Sequence, residues 1–456
     1  MKVSKLKLVV ALGLALRVAL WALQVDPAGD DGRRYLRETI NLVDYGVFSV
    51  DQNVPVGEMP SPDAHDMPLW PATMAVFYKL SQSVAFTQYA SVALNVLLMG
   101  VTVWFLGLIL RSEPFCVGEN GRALGCAVLL FMPDSIMYSL DHMPDMMAVC
   151  FVTIGMWSYF KFINSTRFRF MVSYSLFWGL AILSKPICLP LFVALLLALP
   201  FVLQTPPFRR IVWALAGFAF VAVMLAPWVI RNQRAFGTAG LTTISGTNLY
   251  FYNWKRLVQT FSSDEQAKCY AEMRALESRL QNTDKMASSK AYGAYARKQI
   301  LAHLPQYVQY TLVQHPRMYV GTGTVAMLRY LGLNRICYAL EDLGGKGNHP
   351  PNELPVTYST IHRIIGIGIQ VVSWLVLLGG YLLIIFGIVN IMRRVKSVTA
   401  RERLLWLCPL LCLMLLAVVI GPIATTRYRF IMIPYFSILA AFAIPNGIDK
   451  FLLGGR

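Results

Sequence analysis

The chain has 456 residues, of which 56% are hydrophobic and 14% charged, and it carries a formal net charge of +17. A soluble domain has about 25% charged residues, so the composition excludes a cytosolic enzyme, a fibre and a disordered chain. The apolar runs suffice for about ten membrane helices of about 20 residues each. That leaves more than half of the chain outside them, which excludes a minimal tightly looped bundle and points to an all-α polytopic membrane protein.

The first apolar run follows Lys2, Lys5 and Lys7 and continues to Val25 with no small-x-small cleavage site, so it is read as a retained span at 8–25 rather than a signal peptide. Further spans are expected at 84–110, 124–140, 144–163, 171–184, 186–203, 211–229, 364–392, 404–424 and 430–449. The run at 171–184 is short, and either merges with its neighbour or belongs to a helix broken beside Lys185. Basic residues cluster in alternate short loops, at Arg111 and Arg122, Lys161 to Arg169, Arg209 and Arg210, and Arg393 to Arg403. By the positive-inside rule, those loops and both termini are cytoplasmic. The sequon Asn164-Ser165-Thr166 then lies inside and carries no glycan.

Two segments face outward. The first, 26–83, concentrates acidic residues in an otherwise basic chain and contains an amphipathic helix at 33–46, a Pro-rich loop and a short interfacial helix at 70–82. The second, 231–363, reads as mostly helical, with a capping-box start at Ser262 and helices near 288–303, 305–315 and 317–331. The expected organisation is an N-terminal bundle at 1–230, a helical extracytoplasmic region at 231–363 and C-terminal spans at 364–456. Of eight cysteines, Cys269 and Cys337 share the outward segment and could pair in an oxidising compartment.

Adjacent carboxylates at Asp30 and Asp31 follow the first span directly. At a membrane surface such a pair does not ionise freely, and one member suits a general base; the alternative is an acidic turn that ends a helix. Lys185, Arg231, Arg427 and Arg429 fall at outer ends of spans, where they either hold an anion or snorkel to headgroups. Arg17 lies mid-span and is assigned to packing. Asp141, His142 and Asp145 share a Pro turn, with three uses open: a metal, hydrogen bonds to a sugar or to the catalytic acid, and helix capping.

Asp31-x-x-x-Tyr35, Asn41-Leu42, Gly46-Val47-Phe48-Ser49 and Pro68-Leu69-Trp70-Pro71 resemble the first outer loop of polyprenyl-phosphate-sugar-dependent glycosyltransferases of the GT-C superfamily. That group includes protein mannosyltransferases and the aminoarabinose transferases that modify lipid A. The likeness continues in Gly179 to Pro186, Pro227-Trp228-x-x-Arg231-Asn232, Gly246-Thr247-Asn248-Leu249 and Arg427-Tyr428-Arg429. It implies a GT-C-like bundle and metal-independent inverting transfer of a sugar from a polyprenyl phosphate to an extracytoplasmic hydroxyl. Asp31 would be the base, with Asp30 its rival. Lys185, Arg231, Arg427 and Arg429 would meet the donor phosphate, and Tyr35, His65, Asp141, His142, Asp145 and Asn248 the substrates. No cofactor and no nucleic acid is expected. The partners are the bilayer, the lipid-linked donor and an unspecified acceptor, and the expected location is a bacterial inner membrane with the site outward. The sequence departs from the lipid A-modifying relatives where they carry a Lys before the first-loop Pro; here Asp66-Met67 precedes Pro68, so that either His65 substitutes or phosphate binding rests on the other basic residues. An oligosaccharide ligase using a diphosphate lipid, and a lipid or glycan flippase, are the competing readings.

Overall fold

The computed structural model describes residues 4–26, 29–343 and 359–444, and these are helical with no strand among them. α1 (Lys5–Leu23) is capped by Ser4 and packs against the third expected span. Its Arg17 is fully buried and donates to Ser139 Oγ (2.9 Å), Ser135 Oγ (3.1 Å) and the Gly13 carbonyl (3.0 Å), a packing role that satisfies the guanidinium inside the bundle. α2 (Asp30–Asp44) starts earlier than its apolar periodicity suggests, with Gly29 at the N-cap, so the acidic pair opens a helix instead of ending one. Carboxylates in a first turn complement the helix dipole. Gly46, at φ +70, then turns the chain in a conformation that Cβ-bearing residues avoid. α3 (Leu69–Ser81) is the short helix expected at 70–82, followed by α4 (Val84–Arg111).

The span expected at 124–140 is two helices, α5 (Glu119–Phe131) and α6 (Pro133–Ser139), because Pro133 has no N–H to continue the ladder and starts a new first turn. α7 (Asp145–Ser165), α8 (Phe168–Ser184), α9 (Cys188–Val202) and α10 (Pro207–Phe236) follow. α8 and α9 stay separate: Pro186 disfavours helical geometry at Lys185, which is extended at φ -147.

After α10 come α11 (Ile244–Thr247), a π-helical stretch Asn248–Trp254, α12 (Lys255–Val258), α13 (Ser263–Leu280), α14 (Lys285–Ala302), α15 (Leu304–Gln314), α16 (Pro316–Val320), α17 (Thr324–Tyr330) and α18 (Asn334–Leu343). Two details differ from expectation, and one open possibility, a Cys269–Cys337 pair, is not realised. Ser262 occupies the N-cap of α13, yet its side chain makes no cap bond; Asp284 does cap α14, accepting from Met286 N (2.9 Å) and Ala287 N (2.8 Å). The helix expected at 317–331 breaks after Val320, and Gly323, at φ +69, is the N-cap from which α17 starts. Cys269 and Cys337 are unpaired and lie in different apolar clusters.

α19 (Thr360–Val395), α20 (Ala400–Ile420) and α21 (Thr426–Ala440) complete the bundle. α21 is buried from Arg429 to Ala440 and stands at the centre, against α5, α6, α7, α19 and α20. The last expected span ran to 449, and its end lies outside the described residues. Glycines admit the close approaches that lipid-soluble packing requires: a Cβ on Gly125 would stand 2.7 Å from the Ser437 carbonyl oxygen, and one on Gly121 2.4 Å from that of Ala441. Among the described residues, six helices are long and apolar enough to cross a membrane and two shorter apolar ones, α8 and α9, accompany them, against about ten expected spans. The shortfall comes from the broken α5–α6 pair and the short α21.

Candidate active site

Four helix ends converge at one end of the bundle: the starts of α2, α7 and α21 and the close of α8. Each contributes a charge near its terminus. On α2, Asp31 and Arg34 are three residues apart and so share a face; Arg34 Nη1 donates to Asp31 Oδ1 at 2.5 Å. Arg427, in the first turn of α21, donates through Nη1 to the other Asp31 oxygen, and through Nε (3.2 Å) and Nη2 (3.0 Å) to Asp145 in the first turn of α7. Lys185, just past α8, donates to Asp145 Oδ1. Arg34 also grips Asp66 through Nε (2.6 Å) and Nη2 (3.2 Å).

The cluster balances Asp31, Asp66 and Asp145 against Arg34, Lys185 and Arg427. Its members are not equivalent. Asp145 is 2% exposed, Lys185 12% and Arg427 19%, whereas the Asp31 side chain is 41% exposed. Burial pushes the Asp31 carboxyl up, but the guanidiniums of Arg427 and Arg34 outweigh it and hold it below the usual carboxylate range. Asp31 is therefore an ionised carboxylate with an open side, braced from beneath. Asp30 occupies the same first turn; its side chain lies outside the described residues.

The loop that follows α2 is held by the end of α10, by Thr243 beyond it and by the start of α14. Arg231 Nη1 donates to the Asp63 carbonyl (2.6 Å) and Nη2 to that of Phe48 (3.2 Å), with its guanidinium 5.0 Å from the centre of the Trp228 ring. Lys285 Nζ pairs with Asp63 Oδ2 at 2.7 Å, and Thr243 N donates to the Ala64 carbonyl at 2.8 Å. These contacts seat His65 beside Asp66. His65 and Asn248 both line a cavity of about 760 Å³ between this loop, the π-helical stretch, α12, α15 and α16. Glu38, one helical turn beyond Arg34 on α2, is fully buried, with no hydrogen-bond partner for either oxygen among the described residues. Burial first, then the nearby Asp66, pushes its carboxyl well above the usual range.

Among the expected site residues, Asp31, Lys185, Arg427 and Asp145 meet directly. Tyr35 is buried next to them, its ring 5.3 Å from the Arg34 guanidinium. Asp141, His142 and Asp145 do not converge as a metal group would. Asp141 accepts from Tyr330 OH at 2.8 Å, His142 Nδ1 shares a 2.7 Å hydrogen bond with Ser91 Oγ, and Asp145 serves the two cations. Burial raises the Asp141 carboxyl to about 7 although the Tyr330 hydroxyl opposes it. Two of the four expected phosphate ligands are engaged elsewhere. Arg231 holds the first loop. Arg429 is fully buried, pairing with Asp134 at 3.0 Å and donating to the carbonyls of Met318 (3.0 Å), Tyr319 (2.8 Å) and Gly321 (2.8 Å). It ties α21 to α6 and to the α16–α17 corner.

Sequence reasoning gave no role to Arg34, Lys285 or Tyr330. Arg34 had a signal, its i,i+3 spacing from Asp31 once α2 is known to begin at Asp30. Lys285 and Tyr330 reach Asp63 and Asp141 across 222 and 189 residues, and no local pattern marks them.

Residues 62–230 match the model of the family described as dolichyl-phosphate-mannose-protein mannosyltransferase. No curated protein matches the chain. Among solved structures, the oligosaccharyltransferase AglB from Archaeoglobus fulgidus superposes with a TM-score of 0.53 at 11% identity, covering 98% of this chain and 51% of that one. Its apo form gives a TM-score of 0.54 at the same identity and coverage. The chain has the GT-C fold. The chain thus spans about half the length of the archaeal protein it matches. ArnT from Cupriavidus metallidurans shows a looser likeness, with a TM-score of 0.39 at 14% identity over 95% of this chain and 77% of that one.

Proposed function

We propose that the chain is an integral-membrane inverting glycosyltransferase that moves one sugar from a polyprenyl phosphate to an acceptor hydroxyl outside the cytoplasm. The observation that carries this reading is the half-open, ionised Asp31, braced by Arg34 and Arg427 where α2, α7, α8 and α21 meet. Asp31 accepts the acceptor's proton as the hydroxyl oxygen attacks the anomeric carbon, and the lipid phosphate departs with the electrons of the broken bond. Arg427 and Lys185, the two expected phosphate ligands that lie in the cluster, offset the charge that develops on the phosphate. An anionic donor that draws on Arg427 loosens its hold on Asp31, so the carboxylate regains basicity when the donor is in place. The partial match to a dolichyl-phosphate-mannose family and the dolichol-phosphate named with the archaeal protein of this fold support a lipid-linked donor.

The transfer is read as metal-independent, so EDTA should leave turnover unchanged. The positive-inside pattern supports an orientation with Asp31 on the side away from the cytoplasm, and the membrane proposed is the bacterial plasma membrane, a topology that the eukaryotic reticulum shares. Native mass spectrometry of the gently purified chain tests the donor class. A retained polyprenyl phosphate, with or without a sugar, is the expected mass. A diphosphate would move the reading to the oligosaccharide ligase, and a chain that moves lipid across vesicles without transferring sugar would be the flippase.

A further inference from the structure

The cavity beside the Asp31 cluster has a composition that transfer from a lipid donor does not by itself explain. Among the described residues, three cations line it, Lys255 and Arg256 from α12 and Arg317 from α16, and no carboxylate does. None of the three pairs with an acid among the described residues. By contrast, Lys185, Arg427, Arg34 and Lys285 are each committed to an aspartate. Two of the free cations lie over rings: Lys255 Nζ is 5.6 Å from the Phe251 centroid and Arg256 Cζ 5.0 Å from that of Tyr252. That arrangement orients the charge and costs it no hydrogen-bond donor. Asn248, Gln259 and Gln314 add amides, and Tyr310 a further ring, to the same wall. Amides and aromatic faces suit the hydroxyls and the apolar faces of a sugar ring, and three unpaired cations suit an anion attached to it.

The lining also indicates which substrate enters. Among the described residues, no aliphatic side chain borders the cavity. A polyprenyl phosphate carries its first isoprene unit next to the phosphate, and a site for it needs aliphatic neighbours that this lining does not offer among the described residues. The cavity is instead polar and open. His65 lines it, and the next residue, Asp66, holds Arg34 against Asp31. We infer that this cavity binds the acceptor, and that the acceptor is an anionic saccharide bearing a phosphate or carboxylate group. Lys255, Arg256 and Arg317 take the anion, the rings and amides take the sugar, and the hydroxyl to be glycosylated is directed past His65 toward Asp31. The inference rests on the glycosyltransferase reading and deepens it by naming the acceptor's chemistry.

The test uses the full chain in detergent with three probes: glucose 6-phosphate, glucose and undecaprenyl phosphate. The wild type should prefer glucose 6-phosphate to glucose. Arg256→Gln and Lys255→Gln should each weaken glucose 6-phosphate about tenfold, the loss of one charge-assisted contact. Both should leave undecaprenyl phosphate binding and the thermal midpoint unchanged, because neither residue touches the Asp31 cluster. Equal affinity for the two sugars, or a preference that survives the double variant, overturns the inference. A loss that falls on undecaprenyl phosphate assigns the cavity to the donor and overturns it as well. Inorganic phosphate matching glucose 6-phosphate would reduce the site to an anion hole and overturn the saccharide part. Failure of the underlying reading looks different: the cavity would still select glucose 6-phosphate, while Asp31→Asn would leave turnover intact.

Discussion

Arg427 and Arg429 stand two residues apart in one motif and do opposite work, and Arg429→Met separates them. Arg429 and Asp134 are both 0% exposed. Removing the guanidinium leaves the Asp134 carboxylate buried without its partner, which costs about 3–5 kcal/mol. The carbonyls of Met318, Tyr319 and Gly321 also lose their donor, at about 1 kcal/mol each. Arg429→Met should therefore destabilise the protein by about 6 kcal/mol or more, close to the whole stability of many domains. Arg429→Lys, which keeps the charge and loses the planar fork, should fall between it and the wild type. Adding Asp134→Leu to Arg429→Met removes the stranded carboxylate and should recover about half of the loss, leaving the orphaned carbonyls. The assay is thermal unfolding in detergent followed by intrinsic tryptophan fluorescence, with undecaprenyl phosphate binding measured in parallel on Arg429→Lys. An unaltered midpoint for Arg429→Met together with lost lipid binding would refute the argument and return Arg429 to the phosphate site.

Asp31→Asn should abolish sugar transfer from a radiolabelled donor while lipid binding and the thermal midpoint persist; near-normal turnover would shift the base to Asp30 or end the mechanism. Lys185→Ala should raise the donor KM more than the acceptor KM, and a purely acceptor effect would show that the phosphate lies elsewhere. Asp141 gives a pH signature. Its folded-state value of about 7 lies above the ordinary carboxylate value, so the folded protein holds the extra proton, and the stability this contributes is complete below about pH 4 and lost as pH rises through about 7. Melting midpoints across pH 4–8 should show that decline in the wild type and lose the Asp141 component in Asp141→Asn; identical slopes would mean that Asp141 is not buried against Tyr330 as described.

The sequence alone identified the membrane class and located most of the helices, because runs of apolar residues report the solvent of a segment without reference to any partner. It also singled out Asp31, Lys185, Arg427 and Asp145, through adjacent carboxylates after a span and charges at span ends, where each ionised group needs a reason. The spacing left the acidic pair open between a base and a helix-ending turn, and α2 removes the second reading by beginning at Asp30, behind an N-cap at Gly29, rather than at the first apolar residue. Asp66 looked like a departure from a pattern; the fold uses it to hold Arg34.

The tertiary structure decided what each charge is paired with. Asp31 meets Arg427 across 396 residues and Arg429 meets Asp134 across 295. Neither separation has a period that a helix or turn could impose, so the letters Arg-Tyr-Arg could not say which arginine faces the site and which is buried. A helix turns by about 100° per residue, and two positions along α21 are enough to move a guanidinium from the open end of the bundle to its interior. Hydropathy fixes where a span lies. Only packing fixes which way it is rotated, and in this chain the rotation of α21 separates the cation beside Asp31 from the one that ties the helices together.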